Sequence, residues 1–100
     1  MSITMSRIKQ EATSWGSEYF SPKTMEFFQT RLSNKIHEGP GGIHFVMSDR
    51  GYAETDSRRY KVRRVSFDEK DIDIVGRYEG YTSEAEAHEV AARLAAGEVA

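Results

Sequence analysis

Three short segments of this chain alternate apolar and polar side chains with the period of a β-strand, and this alternation most constrains the fold. The segments span residues 43–48, 58–67 and 72–78. Successive side chains of a strand point to opposite faces of the sheet, so the alternation predicts strands with one face in the core. The short link between the last two segments favours antiparallel pairing. We therefore predict a three-stranded antiparallel sheet.

The apolar positions of the last two segments also predict how these strands pair. Residues directly opposite each other in an antiparallel pair lie on the same face of the sheet. If Val62 shares a face with Ile72, the loop between the strands must hold an odd number of residues. Among the registers that meet this condition, we favour the one that pairs Val62 with Tyr78. That register also places Lys61 opposite Glu79, which is a pair of opposite charges.

Helical periodicity marks three further segments of the chain. Apolar residues recur every three or four positions over residues 2–15 and again over residues 22–34. A third helix begins after Ser83, which forms a capping box with Glu86, and ends at Gly97. The predicted order is therefore helix, helix, strand, strand, strand, helix. This order is typical of an α+β domain whose helices cover one face of the sheet.

Length and composition limit how such a chain is organised and stabilised. One hundred residues suit a single domain over 1–100, in which the helix and connector of residues 1–20 can lie at the periphery. The absence of cysteine excludes disulfides, thiolate zinc sites and iron–sulfur clusters. No apolar run is long enough to span a bilayer, so we expect a cytoplasmic protein without membrane contact.

The connecting segments carry no recognisable phosphate-binding loop. The run Gly39-Pro40-Gly41-Gly42 lacks the lysine and hydroxyl of that motif, so we interpret it as a turn. Residues 49–57 are polar and are predicted to form a loop.

Charge is unevenly spread along the chain, although the formal net charge is only −2. Residues 58–64 contain five cations and no acid, and alternation divides these cations between the two faces of the predicted strand. Residues 65–100 contain nine acids and three cations. The cations can contact phosphates, dock on an acidic partner or pair with nearby acids, and the sequence leaves these three alternatives open. The candidate partner-binding residues are Arg58, Arg59, Lys61, Arg63, Arg64, Asp71, Asp73, Glu84 and Glu86, with Glu89 beside them.

Catalytic and metal-binding signatures do not emerge from the sequence. His37 and His88 each precede a glutamate, but neither has the second histidine of the zinc-protease motif. Carboxylates are numerous, yet nothing indicates a buried pair with shifted pKa values. We therefore predict no catalytic residue, no metal and no cofactor, and we expect a protein that is not an enzyme.

Aromatic residues are more numerous than a small core of this predicted type needs. They serve either as core residues or as a face for self-association into a homodimer, since sheet edges must be paired or covered. The residues in question are Trp15, Tyr19, Phe20, Phe27, Phe28, Tyr52 and Tyr81.

Several short motifs together resemble a group of small proteins encoded by phages and other mobile elements. The resemblance covers about residues 22–95 and rests on five motifs. They are Thr24-Met25-Glu26-Phe27-Phe28-Gln29-Thr30-Arg31, Phe45-Val46-Met47-Ser48-Asp49, Arg59-Tyr60-Lys61-Val62-Arg63, Gly76-Arg77-Tyr78 and Tyr81-Thr82-Ser83.

The resemblance implies a compact protein without a cofactor that acts in a bacterial host cell. Such proteins often inhibit a host defence complex by stoichiometric binding, and anti-CRISPR proteins are the leading example. Our expectation is therefore an inhibitor of a CRISPR effector complex, with acids that imitate phosphates or cations that dock on an acidic rim. The alternative is a small nucleic-acid-binding accessory protein that uses the basic strand, residues 58–64.

Overall fold

The computed structural model describes residues 3–50 and 58–98, which form an α+β fold with a four-stranded antiparallel sheet. Neighbouring strands in the sheet follow chain order, β1-β2-β3-β4. The elements are α1 (Met5–Ser14), α2 (Pro22–Phe27), β1 (Arg31–Gly39), β2 (Gly42–Asp49), β3 (Arg59–Ser66), β4 (Asp71–Val75) and α3 (Glu84–Ala95). The α+β class is confirmed, but the prediction of three strands is wrong.

The additional strand, β1, occupies residues that were predicted to end a helix. Helix α2 ends at Phe27, and Gln29 then takes a left-handed backbone conformation with φ of 51° that no helix can continue. In β1, Leu32 lies opposite Met47 and Ile36 lies opposite Phe45, with a bulge between them. The bulge leaves these apolar residues four positions apart, and that spacing is indistinguishable from helical periodicity in the sequence.

The turn predicted at Gly39–Gly42 is confirmed, and it joins β1 to β2. It also contacts the C-terminal end of α3, because the amide of Gly41 donates a 2.8 Å hydrogen bond to the carbonyl of Ala95. A Cβ atom at Gly41 would collide with the carbonyl oxygen of Leu94, so the close approach requires glycine.

The predicted register between β3 and β4 is wrong. Val62 lies opposite Val75 and Val65 lies opposite Ile72, so the four turn residues 67–70 connect the strands instead of an odd number. Tyr78, which was predicted to face Val62, lies beyond β4 with 76% of its surface exposed. The prediction failed because it assumed that only one face of the sheet is buried.

Helices cover both faces of the sheet rather than one. On the α1 side, the buried cluster consists of Met5, Ile8, Phe45, Met47 and Val65. On the α3 side, it consists of Val46, Val62, Tyr81, Ala87 and Ala91. Strand β2 therefore contributes to both clusters, and five consecutive residues, 44–48, are buried.

Local capping signals determine where the helices begin. Thr4 caps α1 by accepting a hydrogen bond from the amide of Arg7, and Ser83 caps α3 by accepting one from the amide of Glu86. Each serine or threonine oxygen satisfies an amide that has no partner within the first helical turn. Among the described residues, no helix combines the length and apolar character needed to cross a bilayer.

Most of the aromatic residues singled out in the sequence pack within the molecule. Trp15, Tyr19 and Phe20 contact the α1-side cluster, whereas Tyr81 belongs to the α3-side cluster. Phe27 is different, since 67% of its surface is exposed. Tyr52 and most of the loop predicted at residues 49–57 lie outside the described residues.

Candidate functional site

The basic strand does not present its five cations as one surface, because two of them interact within the molecule on the α1 side. The Lys61 ammonium lies 3.2 Å from Asp49 Oδ1, and the two side chains are only 20% and 15% exposed. The Arg63 guanidinium lies 4.5 Å from the ring centroid of Tyr19, within the range of a cation–π contact. Lys61 and Arg63 are therefore each engaged by a side chain of the same molecule.

The Tyr19–Arg63 contact changes the titration of the tyrosine. Burial raises the pKa of the Tyr19 hydroxyl to about 12, although the charge of Arg63 acts in the opposite direction. Tyr19 therefore stays neutral under physiological conditions.

Arg59 and Arg64 are exposed, and they lie towards opposite ends of β3. Arg64 is directly opposite Asp73 on β4, and its charge favours the ionised form of that carboxyl. The hydrogen bond that the protonated Asp73 carboxyl donates to Asp71 nevertheless raises the pKa of Asp73, and the charges of Asp71 and Glu69 raise it as well. The predicted acids Asp71 and Asp73 thus form a carboxyl pair at the exposed β4 edge of the sheet.

The fifth cation, Arg58, is held in place where β3 begins. Its Nη1 atom donates a 2.9 Å hydrogen bond to the carbonyl of Gln29 and a 3.1 Å hydrogen bond to Ser48 Oγ. Burial lowers the pKa of Arg58, and the nearby charges of Arg31 and Arg50 lower it further. Arg31 and Arg50 are therefore close enough to act on the charge of Arg58, whereas the charge of Asp49 acts in the opposite direction.

We refer to Arg31, Arg50 and Arg58 as the arginine end. Antiparallel pairing brings them together, because β1 and β3 begin at the same end of the sheet at which β2 ends. The segment after α2 supports them, since the carbonyl of Phe28 accepts a 3.1 Å hydrogen bond from the amide of Arg50. The left-handed conformation of Gln29 directs a carbonyl to Arg58, and such strained residues are concentrated at functional sites.

A small cavity opens beside two of these arginines, on the side of the sheet that α3 covers. Its volume is about 120 Å³. The charged and polar residues that line it are Arg31, Ser33, Ser48, Arg58, Tyr60 and Glu84. We call this cavity the arginine pocket. Its walls come from three strands and the first turn of α3, so it combines cations, hydroxyl groups and one carboxylate.

A chain of side-chain contacts beside the arginine pocket links α3 to β1 through His88 and His37. Ser33 Oγ lies 3.1 Å from His88 Nε2, and His88 Nδ1 lies 2.9 Å from His37 Nε2. Glu84 Oε1 is 3.6 Å from His88 Nε2. Burial lowers the pKa of His37, and the charges of His88, Lys35 and His44 add to that effect. The contacts fix α3 against β1.

The structure does not gather these histidines into a metal-binding arrangement. Within residues 3–50 and 58–98, no group of three or more histidine, aspartate or glutamate side chains is placed to hold a metal ion.

The acids predicted on α3 have different environments. Glu84 lines the arginine pocket, whereas Glu86 is exposed and Glu89 pairs with Arg93 at 2.6 Å. Of the predicted site residues, the structure therefore places Arg58 and Glu84 in the arginine pocket, whereas Asp71, Asp73 and Arg64 lie together on β3 and β4.

Comparison with known proteins identifies a family. Residues 4–92 match a family of unknown function, DUF7447. The chain belongs to this family. The match spans every element of the fold except the last residues of α3. No curated protein and no solved structure shows significant similarity to the chain.

The sequence analysis did not identify several residues that line the arginine pocket. Arg31 lay inside a predicted helix, and Ser33 lay next to the predicted helix end. The position of each arginine relative to a strand could have indicated them, because Arg31 begins β1 and Arg58 precedes β3. That Arg31 and Arg58 lie close together becomes evident only when β1 and its pairing with β2 are known.

Proposed function

We propose that the protein acts without catalysis, by stoichiometric binding of its arginine end to an anionic surface of a partner protein or ribonucleoprotein. The observation that carries the proposal is the placement of Arg58 beside Arg31 and Arg50, held by a backbone carbonyl and a buried hydroxyl. The charges of Arg31 and Arg50 act unfavourably on Arg58, and a negatively charged partner would offset this effect.

An exposed aromatic side chain next to the arginine end supports binding to a protein surface. Phe27 is 67% exposed and lies two residues before Gln29, whose carbonyl holds Arg58. Aromatic residues and arginine are enriched among the residues that dominate protein–protein binding energy. An exposed phenylalanine near the fixed guanidinium group of Arg58 is therefore suited to a compact interface.

The resemblance to phage and mobile-element proteins supports a more specific proposal about the partner. We propose that the partner is a host defence complex, specifically a CRISPR effector, and that the protein inhibits this complex in the cytoplasm of a bacterial host. Effector complexes offer both acidic protein surfaces and nucleic-acid phosphates. The arginine end can bind either kind of anionic surface.

Affinity capture with matched variants tests this proposal. We expect the tagged wild-type protein to retain one complex from a host lysate at a fixed ratio. The double variant Arg31→Ala/Arg58→Ala should lose it. The control variant Arg59→Ala should keep it, because Arg59 is exposed but lies outside the arginine pocket. Equal capture by all three proteins, or no capture of any defence complex by wild type, would refute the proposal.

A second candidate function is nucleic-acid binding through residues 58–64. The observation that favours it is the exposure of Arg59 and Arg64 on the same strand that Arg58 precedes. Binding of this kind must weaken steeply as salt increases, because the cations displace counterions from phosphates. A gel shift at about 50 mM salt with single-stranded and duplex probes tests for this nucleic-acid binding, since phosphate contacts are strong at low salt. Absence of a shift removes this candidate.

A further inference from the structure

We infer that the arginine pocket binds one oxyanion group of the partner, either a phosphate or a carboxylate. The inference rests on the proposed function, because it names the chemical group that the arginine end recognises. The pocket can nevertheless be tested in the absence of the partner, with small anions as probes.

The pocket is large enough for a small anion. Its volume of about 120 Å³ accommodates several water molecules. A phosphate or carboxylate with its first linking atoms therefore fits this space.

Hydrogen-bond donors remain available at the wall of the pocket. Arg58 uses Nη1 for both of its hydrogen bonds, and within the described residues no acceptor contacts its Nε or Nη2. Ser48 is 4% exposed, and its oxygen accepts one of those bonds. The structure shows no acceptor for the hydroxyl hydrogen of Ser48 among the described residues. A buried donor without an acceptor is unfavourable, and an oxyanion in the pocket would satisfy it.

The chemistry of the pocket favours an anion over a neutral ligand. Arg31 and Arg58 both line it, and their charges repel each other in its absence. Guanidinium groups bind phosphate and carboxylate oxygens with strong, charge-assisted hydrogen bonds. Glu84 also lines the pocket and opposes the anion, but its carboxylate is 3.6 Å from His88 and its side chain is 58% exposed. Because the Glu84 side chain is largely exposed, solvent screens its charge, and we expect it to weaken anion binding only modestly.

Amide chemical-shift titration of the full chain tests the inference. The probes are inorganic phosphate and acetate, added at constant ionic strength. We expect saturable shifts at residues 31–33, 48 and 58–60, with dissociation constants in the millimolar range. Arg58→Ala should weaken binding by about tenfold, the effect of losing one charge-assisted hydrogen bond. Arg31→Ala, which alters an exposed side chain, should weaken it as well.

The most discriminating variant removes an opposing charge. Glu84→Gln should tighten phosphate binding by about threefold, because one like charge several ångströms away is lost. Glu86→Gln is the matched control, since Glu86 lies on the same helix outside the pocket, and it should bind as wild type does. A gain in affinity cannot arise from partial unfolding, so this pair remains informative if an arginine variant is unstable.

The outcomes separate the inference from the proposed function. Binding of phosphate alone assigns a phosphate group, binding of acetate alone assigns a carboxylate, and comparable binding of both supports recognition of the oxyanion that they share. Absence of saturable shifts with both probes would overturn the inference, as would identical affinities in wild type, Arg58→Ala and Glu84→Gln. If the anions bind but affinity capture fails, the oxyanion site is supported and the proposed partner is refuted. If capture succeeds without anion binding, the proposed partner is supported and the oxyanion site is refuted.

Discussion

Replacement of Ile8 by alanine tests whether α1 is an integral layer over the sheet. Ile8 is fully buried and belongs to the α1-side cluster with Phe45, Met47 and Val65. The substitution removes three carbon atoms, which corresponds to about 2.4 kcal/mol of lost burial at about 0.8 kcal/mol per carbon. The remaining cavity raises the expected loss of unfolding free energy to about 3–4 kcal/mol.

Urea and thermal denaturation followed by circular dichroism measure this loss. For a domain of this size, a loss of about 3 kcal/mol lowers the melting temperature by about 15 °C. Gln10→Ala is the control, because Gln10 is exposed on the same helix and should change stability by less than about 0.5 kcal/mol. If Ile8→Ala lost less than about 1 kcal/mol, α1 would not pack on the sheet as described, because full burial predicts a larger loss.

Three further predictions concern the α3 side of the sheet. Gly41→Ala should destabilise the protein by about 2 kcal/mol or more in urea denaturation, because the added Cβ collides with the carbonyl of Leu94. Acidification through about pH 6.5 should lower the urea midpoint, since burial lowers the pKa values of His37 and His44 and the unfolded chain then binds more protons. Ser83→Ala should lower the unfolding free energy by about 1 kcal/mol through loss of the α3 cap.

Each of these predictions has a control and a contradicting result. Gly16→Ala meets no neighbouring atom and should show only the effect of its positive φ, about 1–2 kcal/mol, so a larger effect there than at Gly41 would contradict the described turn. A urea midpoint that rises between about pH 7.5 and pH 5.5 would contradict the neutral burial of the histidines. Thr82→Ala is the control for Ser83, and equal losses in both variants would contradict the assigned cap.

The elements that the sequence predicted correctly are those with local signals. The Ser83–Glu86 pair determines where α3 begins, and the alternation in residues 43–48 marks β2. Strand β1 was not predicted because its bulge leaves Leu32 and Ile36 at helical spacing. The register between β3 and β4 was predicted wrongly because the sheet is buried on both faces. The requirement for an odd number of loop residues holds only when all the apolar residues must lie on one face.

The candidate site was predictable only in part. Arg58 belonged to a conspicuous run of cations, and the sequence predicted it as a partner-binding residue. Its neighbours Arg31 and Arg50 are isolated cations in the sequence, and only strand pairing places them beside Arg58. The same run also contains Lys61 and Arg63, which interact within the fold, and charge density alone did not indicate these contacts.

Hydrogen exchange of the protein, alone and in the complex that affinity capture isolates, tests most directly whether the arginine end is the binding surface. We predict that the partner slows exchange at residues 28–33 and 58–60, where the arginines and their supporting segment lie. Slowed exchange confined to residues 68–73 and 84–89 would contradict the account, because binding would then use the acidic edge of β4 and the start of α3.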